Sequence, residues 1–340
     1  MREPAFWHRP PSFTSHLLRP LGALYGAITA TRMQRNGLEA GVPVICVGNY
    51  HLGGAGKTPT VLALANMLRE LGERPVVLSR GYGGERRGPV LVDPEKHSAR
   101  EVGDEPLMLA SHVPVVVARD RVDGVALARS RLASVILMDD GFQNPALMKD
   151  VALIVIDSAR GIGNGLVFPA GPLRAPLAPQ LARTDALVVI GAGTAAQAVA
   201  AAVAAAGKPV LAAHLEPDVA AVAKLKGRRV LAFAGIGDPG RFFRTLQASG
   251  IEVAQQKVFP DHHRFSAGEI AALLADAKRH GLIPVTTVKD LVRLSGDTEL
   301  SALGREIVPF PVMLQFEDAA VLRAFLADRL FQAREKGFRR

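Results

Sequence analysis

A glycine-rich stretch that ends in Gly-Lys-Thr has the residue types needed to bind phosphate groups, and it lies between an apolar run and a helix-like segment. Over residues 48–59 it reads GNYHLGGAGKTP. Glycines let backbone N–H groups approach an anion without a clash from Cβ, and the following helix presents its positive end to that anion. Lys57 can reach the β- and γ-phosphates of a nucleotide, and the Thr58 hydroxyl can coordinate Mg²⁺. The predicted nucleotide-binding residues are His51, Leu52, Gly53, Gly54, Ala55, Gly56, Lys57 and Thr58.

One position of this loop departs from the usual pattern G-x-x-x-x-G-K-[ST]. His51 stands where the pattern has its first glycine. The additional glycines at 53 and 54 can reshape the turn, so the loop is interpreted as a variant of the pattern. A glycine-rich turn that binds nothing is the alternative, but a strand, the glycines, Gly-Lys-Thr and a helix in this order favour phosphate binding.

Two adjacent carboxylates follow a predicted strand further along the chain. The run VILM at 135–138 precedes Asp139 and Asp140. A nucleotide loop of this kind works with an acidic residue at the end of a neighbouring strand, which holds Mg²⁺ directly or through water. We therefore assign Thr58, Asp139 and Asp140 to a magnesium site, and which carboxylate lies closer to the ion stays open. A solvated turn at the strand end is the alternative.

Short apolar runs alternate with helix-like segments from residue 42 onward, which is the pattern of a mostly parallel α/β sheet. The runs at 135–138 and 151–156 lack polar alternation, as expected of strands covered on both faces. Around 209–227 the pattern weakens. A second α/β series follows, in which 307–314 predicts one strand and 317–331 a closing helix. The expected fold is a P-loop NTPase-like parallel sheet domain plus a second, smaller α/β domain, with an N-terminal amphipathic helix.

Length and composition agree with two domains and an anionic ligand. At about 150 residues per domain, 340 residues suggest two domains. The 41 Lys and Arg against 32 Asp and Glu give a formal net charge of +9, which favours anionic partners. The single cysteine, Cys46, excludes an intrachain disulfide. The expected boundaries are 1–40 for the amphipathic segment, 41–212 for the nucleotide-binding domain and 213–340 for the C-terminal α/β domain.

Apolar side chains near the N-terminus recur at helical spacing, and arginines flank them. The apolar positions are Leu17, Leu18, Leu21, Leu24, Tyr25 and Ile28. Such a stripe in basic surroundings is typical of a helix that lies in the headgroup layer of a membrane, and an ordinary helix packed on the protein body is the alternative. The segment is too short to span a bilayer. Residues 186–207 are uncharged, but their glycines and alanines predict a strand, a turn and a helix rather than a span.

Several segments, in order along the chain, resemble the tetraacyldisaccharide 4'-kinase family, the lipid A 4'-kinases. They cover roughly residues 15–330 and include GGAGKTP (53–59), SRGYGG (79–84), GDEP (103–106), DDGFQ (139–143), FPAGPLR (168–174), AGIG (234–237) and DH (261–262). TVKD at 287–290 is similar to the family's Thr-Glu-Lys-Asp, with Val288 in the acidic position.

This resemblance implies an activity and a place in the cell. The activity is transfer of the γ-phosphoryl group of ATP, with Mg²⁺, to the 4'-hydroxyl of a tetraacylated glucosamine disaccharide 1-phosphate. The place is the cytoplasmic face of the bacterial inner membrane, where the chain would act as a peripheral protein, and we expect a monomer. The N-terminal domain would carry the nucleotide loop, and the C-terminal domain would close the active cleft.

The resemblance also implies roles for individual residues. Asp104 is the expected base for the acceptor hydroxyl, with His262 from the second domain paired to it, and Lys57 completes the catalytic set. From the residues alone, Asp104 could simply cap a helix and His262 could be an ordinary loop histidine. Arginines near the motifs are candidates for contact with the 1-phosphate of the substrate, since Arg suits bidentate phosphate binding. They are Arg80, Arg119, Arg121 and Arg174.

Two other functions are compatible with the loop. One is another P-loop NTPase, such as a GTP-dependent metal chaperone or a ligase-like enzyme, but a guanine-reading Asn-Lys-x-Asp sequence is missing from the chain. The other is a nucleic-acid-binding ATPase. Aromatic residues make up only 5% of the chain, and there is no dense basic stripe outside residues 334–340, so we expect no nucleic-acid partner.

Overall fold

The computed structural model of the chain describes residues 3–338, so residues 1, 2, 339 and 340 of the predicted terminal segments lie outside it. Within that range the chain forms thirteen strands in two sheets. The strands are β1 (Val44–Gly48), β2 (Pro75–Ser79), β3 (Val90–Leu91), β4 (Val115–Val117), β5 (Val135–Asp139), β6 (Val151–Asp157), β7 (Ala186–Ile190), β8 (Val210–Pro217), β9 (Arg229–Ala234), β10 (Glu252–Val258), β11 (Ile283–Thr286), β12 (Val308–Pro309) and β13 (Val312–Phe316).

Helices connect most of these strands, and a short 3-10 helix, Ala5–His8, comes first. The α-helices are α1 (Phe13–Met33), α2 (Lys57–Glu70), α3 (Ala99–Val102), α4 (Asp104–Ala110), α5 (Arg121–Ser130), α6 (Leu177–Ala182), α7 (Gln197–Ala205), α8 (Val219–Leu225), α9 (Pro239–Ala248), α10 (Ala267–Arg279), α11 (Val288–Val292), α12 (Thr298–Gly304) and α13 (Ala319–Phe338).

The larger sheet has nine strands in the order β13-β8-β7-β6-β1-β5-β2-β4-β3, and only the edge strands β13 and β3 run antiparallel to their neighbours. Alternate residues of β1 enter two separate apolar cores, with Ile45 on one face and Cys46 on the other. The sheet is therefore covered on both faces, as its unbroken apolar runs predict. Together with its helices we call it the first unit, and the predicted α/β fold is confirmed.

The register of the central strands positions the candidate site. Strand β1 lies between β5 and β6, with Val47 opposite Asp139 and Gly48 opposite Ile154. Because these strands are parallel, their carboxyl ends meet at one edge of the sheet. The loop that follows β1 and the acidic pair at the end of β5 therefore come together.

The second sheet is parallel, in the order β10-β9-β11-β12, and has its own two apolar cores. We call this sheet with α8 to α12 the second unit. The chain then returns to the first unit, where β13 pairs with β8 and α13 buries Leu322, Leu326 and Leu330. The run at 307–314, predicted as one strand, is therefore two short strands in different sheets.

The expected boundary between residues 212 and 213 falls inside β8, and β13 and the buried leucines of α13, expected in the second domain, pack on the first unit. The physical reason lies in β8, whose residues are alternately exposed and buried near the sheet edge. Because of this alternation the segment has no continuous apolar run, and its sequence therefore resembles that of a linker.

Helix α1 rests on the first unit through small residues and leaves its apolar stripe exposed. A Cβ on Gly22 would lie 2.7 Å from the Val167 carbonyl oxygen, and one on Gly26 would lie 3.2 Å from Pro176. The opposite face exposes Phe13, Leu17, Leu21, Leu24, Tyr25 and Ile28. Across residues 3–338, no helix has the length and hydropathy to cross a membrane.

Candidate active site

The glycine-rich loop leaves β1 and ends where α2 begins at Lys57. Gly53 and Gly56 have φ values of 103° and 91°, a region that residues with a Cβ rarely adopt. The Asn49 side-chain amide donates to the Gly53 carbonyl at 3.1 Å, and the Leu52 N–H donates to the Pro172 carbonyl at 2.8 Å. These two hydrogen bonds hold the loop in place. Open space lies beside Gly54, where an added Cβ would contact nothing within 4 Å.

The His51 side chain is buried and forms part of the structural support of the loop. Its Nδ1 lies 2.8 Å from the Leu52 carbonyl oxygen. Burial lowers the pKa of His51 to about 4, so the ring is neutral at physiological pH. The His51 carbonyl accepts a 3.1 Å hydrogen bond from Nε of Arg174. The residue at the usual glycine position therefore anchors an arginine beside the loop.

That arginine holds the second carboxylate of the acidic pair. Arg174 donates from Nη1 and Nη2 to the two carboxylate oxygens of Asp140 at 2.7 and 3.0 Å, and Nζ of Lys57 lies 3.8 Å from Oδ2 of Asp140. Burial would raise the pKa of Asp140, but the positive charges of Lys57 and Arg174 outweigh it and hold this pKa well below its usual range. Sequence reasoning suggested Arg174 for a substrate phosphate, whereas the structure pairs it with Asp140.

Asp139 has surroundings that suit a carboxylate ligand of a cation. It is buried at the end of β5, and its Oδ1 has no hydrogen-bond partner. Burial, with the negative charges of Glu105 and Asp140, raises the pKa of Asp139 to about 7. A bound cation would favour its ionised form.

The donor set at the sheet edge fits Mg²⁺ bound together with a nucleotide. Within residues 3–338 there is no group of three or more His, Cys, Asp or Glu side chains that could hold a metal alone. Mg²⁺ at nucleotide sites usually takes only one or two carboxylates and completes its ligands with phosphates and water. Asp139 and Asp140 would supply the carboxylates, and Thr58 lies in the first turn of α2.

Asp104 and His262 meet where the two units contact each other. Asp104 begins α4, His262 follows β10 in a left-handed conformation with φ 57°, and Nδ1 of His262 lies 3.0 Å from Oδ2 of Asp104. The Tyr82 ring packs edge-on against His262, with centroids 5.4 Å apart. Asp104 also accepts a hydrogen bond from the Glu105 N–H at 2.9 Å, within the first turn of α4.

Positive charge around Asp104 keeps it ionised. Burial would raise the pKa of Asp104, but the hydrogen bond from His262 and the charges of Lys289 and Arg293 hold this pKa well below its usual range. The neighbouring Glu105 has a lowered pKa because of the positive charge of Lys289, with a further contribution from Lys57 of the loop. Glu105 therefore lies within electrostatic reach of both Asp104 and the lysine of the loop.

Sequence reasoning missed Arg293, which is buried between the units. Arg293 donates to Asp104 from Nε at 2.8 Å and from Nη2 at 2.6 Å. It lies three residues after Asp290 of the TVKD segment, a spacing that places oppositely charged side chains together on a helix. That spacing was the available signal.

The other arginines suggested for substrate contact lie in different environments. Arg121 is buried and donates to the carbonyl oxygens of Ala118 and Asp139 at 3.0 and 3.2 Å, so it braces the strand end. Arg119 donates to the Gly84 carbonyl oxygen at 3.4 Å. Arg80 is exposed.

Comparison with known proteins identifies the family. A family model described as LpxK, tetraacyldisaccharide-1-P 4'-kinase, matches residues 14–331. The chain belongs to this family. It is 65% identical over 340 residues to the tetraacyldisaccharide 4'-kinase of Rhodopseudomonas palustris (strain BisB5), covering 100% of both chains. It is 67% identical over 340 residues to that of Bradyrhizobium diazoefficiens (strain JCM 10833), again covering 100% of both.

A solved structure supports the same assignment. The crystal structure of the "apo" form of LpxK from Aquifex aeolicus in complex with ATP matches with a TM-score of 0.70 and 29% identity, over 93% of this chain and 99% of that one. The resemblance stated from the motifs is thus confirmed, and the chain is a kinase of this family that uses ATP. Nothing supports a metal chaperone or a ligase.

Proposed function

We propose that the chain transfers the γ-phosphoryl group of ATP to the 4'-hydroxyl of a tetraacylated glucosamine disaccharide 1-phosphate, using the residues at the junction of its two units. The observation that carries this assignment of roles is the 3.0 Å contact between His262 of the second unit and Asp104 of the first. It joins a candidate proton acceptor of the first unit to a histidine of the second, and the adjacent Glu105 lies within electrostatic reach of Lys57 in the glycine-rich loop. Both halves of the junction come from one chain, which favours a monomer.

Each residue has a defined task in this proposal. The backbone from His51 to Thr58 lines the site of the triphosphate, and Lys57 neutralises charge that develops on the transferring phosphoryl group. Asp104 accepts the proton of the acceptor hydroxyl, and His262 orients the carboxylate and shares the proton load. Mg²⁺, held by Thr58, Asp139 and Asp140, would supply further charge neutralisation when bound.

The direct test is phosphoryl transfer from labelled nucleotide. The purified chain is incubated with Mg²⁺, the disaccharide 1-phosphate lipid and either γ-labelled ATP or γ-labelled GTP. We expect label in the lipid with ATP and much less with GTP. Labelled inorganic phosphate without labelled lipid would contradict the proposed acceptor, and a preference for GTP would contradict the proposed donor.

We further propose that α1 binds the surface of the inner membrane on its cytoplasmic side. Leu17 is 68% exposed and Leu24 is 63% exposed, in a stripe that is largely uncovered, while its Tyr25 ring packs edge-on against Phe168 with centroids 5.5 Å apart. The flanking arginines, which suit an anionic lipid surface, are Arg9, Arg19, Arg32 and Arg35. A membrane-resident lipid substrate would then reach the site without leaving the bilayer.

The doubly substituted variant Leu21→Glu/Leu24→Glu is expected to lose co-sedimentation with vesicles of anionic phospholipid, because two carboxylates on the stripe oppose insertion of its apolar face. Turnover of substrate dispersed in detergent should change little, since both side chains are exposed on the surface of α1. Val219→Glu is the matched control, because Val219 is 76% exposed on α8 of the second unit. Vesicle binding of the double variant equal to that of the control would exclude α1 as the membrane contact.

A further inference from the structure

A buried arginine behind Asp104 connects the two units. Arg293 follows α11 in the second unit, and its side chain is only 6% exposed. Nε and Nη2 both donate to Oδ2 of Asp104, at 2.8 and 2.6 Å. Nη1 donates to the Gly235 carbonyl oxygen and to Oδ1 of Asp290, each at 2.6 Å. One guanidinium thus binds the first unit with one edge and the second unit with its remaining nitrogen.

These contacts fix the orientation of the Asp104 carboxylate. Oδ2 receives the two hydrogen bonds from Arg293 and contacts Nδ1 of His262, while Oδ1 accepts the N–H of Glu105. Rotation about χ2 would break several of these contacts at once. The planar fork of an arginine holds a carboxylate in a way that a lysine ammonium cannot reproduce.

The TVKD segment supports Arg293 from behind. The Asp290 carboxylate is fully buried and accepts hydrogen bonds from the Thr287 hydroxyl at 2.7 Å and from the Gly235 N–H at 3.1 Å. Asp290 thereby has a fixed position from which it orients Arg293. The contacts of Thr287 and Asp290 explain why these two residue types occur in the segment, and Val288 takes no part in them.

We propose that Arg293 is a positioning residue for phosphoryl transfer: it holds the Asp104 carboxylate in its reactive orientation and ties that orientation to the docking of the second unit on the first. This inference rests on the proposed role of Asp104 as the proton acceptor. Arg293 itself contacts neither the glycine-rich loop nor the acidic pair at the end of β5.

A pH profile can separate positioning from mere structural support. The charged groups around Asp104 are Arg293, His262, Glu105 and Lys289, whose Nζ lies 3.9 Å from Oδ2 of Asp104, and Asp290 lies behind Arg293. Loss of Arg293 removes one cation and its two hydrogen bonds, so the pKa of Asp104 rises. Protonation of Asp104 then begins at a higher pH. On the acid side of the profile (its acid limb), kcat/KM for the lipid therefore begins to fall at a higher pH than in the unchanged chain.

Arg293→Met is expected to lower kcat for lipid phosphorylation by about 10²-fold, the loss that follows ångström-scale misplacement of a reacting group. The KM for ATP should stay unchanged, and the acid limb should move to higher pH. Arg293→Lys restores the positive charge but not the planar pair of guanidinium N–H donors. It should therefore return the acid limb towards its original position while kcat stays low.

Arg229→Met is the control, since Arg229 lies in the same unit but pairs with Glu252 in an exposed contact at 3.0 Å. Its kcat and acid limb should equal those of the unchanged chain.

Unchanged kcat in Arg293→Met, or lower kcat with an unmoved acid limb, would overturn the proposal. If a melting curve shows that Arg293→Met does not fold, Arg293→Lys decides, and wild-type kcat there would refute the need for the fork. Absence of lipid phosphorylation by the unchanged chain would instead refute the proposed function.

Discussion

Lys57→Met is expected to lower kcat for lipid phosphorylation by roughly 10³- to 10⁵-fold, the range known for other cations that stabilise a transferring phosphoryl group. Lys57 is the first residue of α2, and its ammonium lies 3.8 Å from Oδ2 of Asp140. Negative charge on the phosphoryl oxygens and the leaving group must be neutralised as the bond to the β-phosphate breaks. Methionine keeps most of the length of the unbranched side chain and removes the charge together with the three N–H donors.

Transfer of γ-label to the lipid measures this effect, and calorimetry with Mg²⁺ and ATP shows separately whether the nucleotide still binds. Lys96→Met is the matched control, because Lys96 is an exposed lysine paired with Asp93 at 2.8 Å. The control should have the turnover of the unchanged chain. Turnover in Lys57→Met close to that of the control would remove Lys57 from the catalytic set.

The order of the elements in the first unit was predictable because its central strands are buried on both faces. Strands β1, β5 and β6 are apolar runs, interrupted only by the aspartates that end β5 and β6, and the helices between them have recognisable ends. Strand β10 was missed, since Glu252–Val258 is mostly exposed and polar. The apolar run at 307–314 looks continuous, yet β12 and β13 belong to different sheets. A local pattern does not tell which sheet a strand joins.

Some residues of the site belong to short sequence motifs, and others meet only through contacts between distant parts of the chain. The loop and the acidic pair are short motifs at strand ends, so sequence alone could propose them and the parallel register brings them together. Arg174 and Arg293 were not predictable as partners of Asp140 and Asp104, because their contacts span 34 and 189 residues. Arginines are frequent in this chain, and although the spacing from Asp290 to Arg293 indicates that these two side chains pair, nothing in the local sequence indicates the distant partner.

Asp104→Asn is expected to reduce kcat by roughly 10²- to 10⁴-fold, the range for loss of a general base. Asparagine keeps the shape of the side chain and can still accept the Glu105 N–H, but it cannot take a proton from the acceptor hydroxyl. The fold should persist, since Arg293 retains Asp290 as a partner at 2.6 Å. Lipid phosphorylation at saturating ATP measures the loss, with Asp123→Asn, an exposed carboxylate in the first turn of α5, as the control.

The same variant has a stability signature with a defined sign. The pKa of Asp104 is lowered in the fold, so its charge stabilises the folded chain above the pKa of an unfolded aspartate, about 3.9, and that stabilisation is lost as pH falls below it. Asp104→Asn should therefore lower the melting temperature at neutral pH and approach the unchanged chain in acid. Wild-type kcat together with this melting behaviour would show that Asp104 only joins the two units, and a different group would then have to accept the proton.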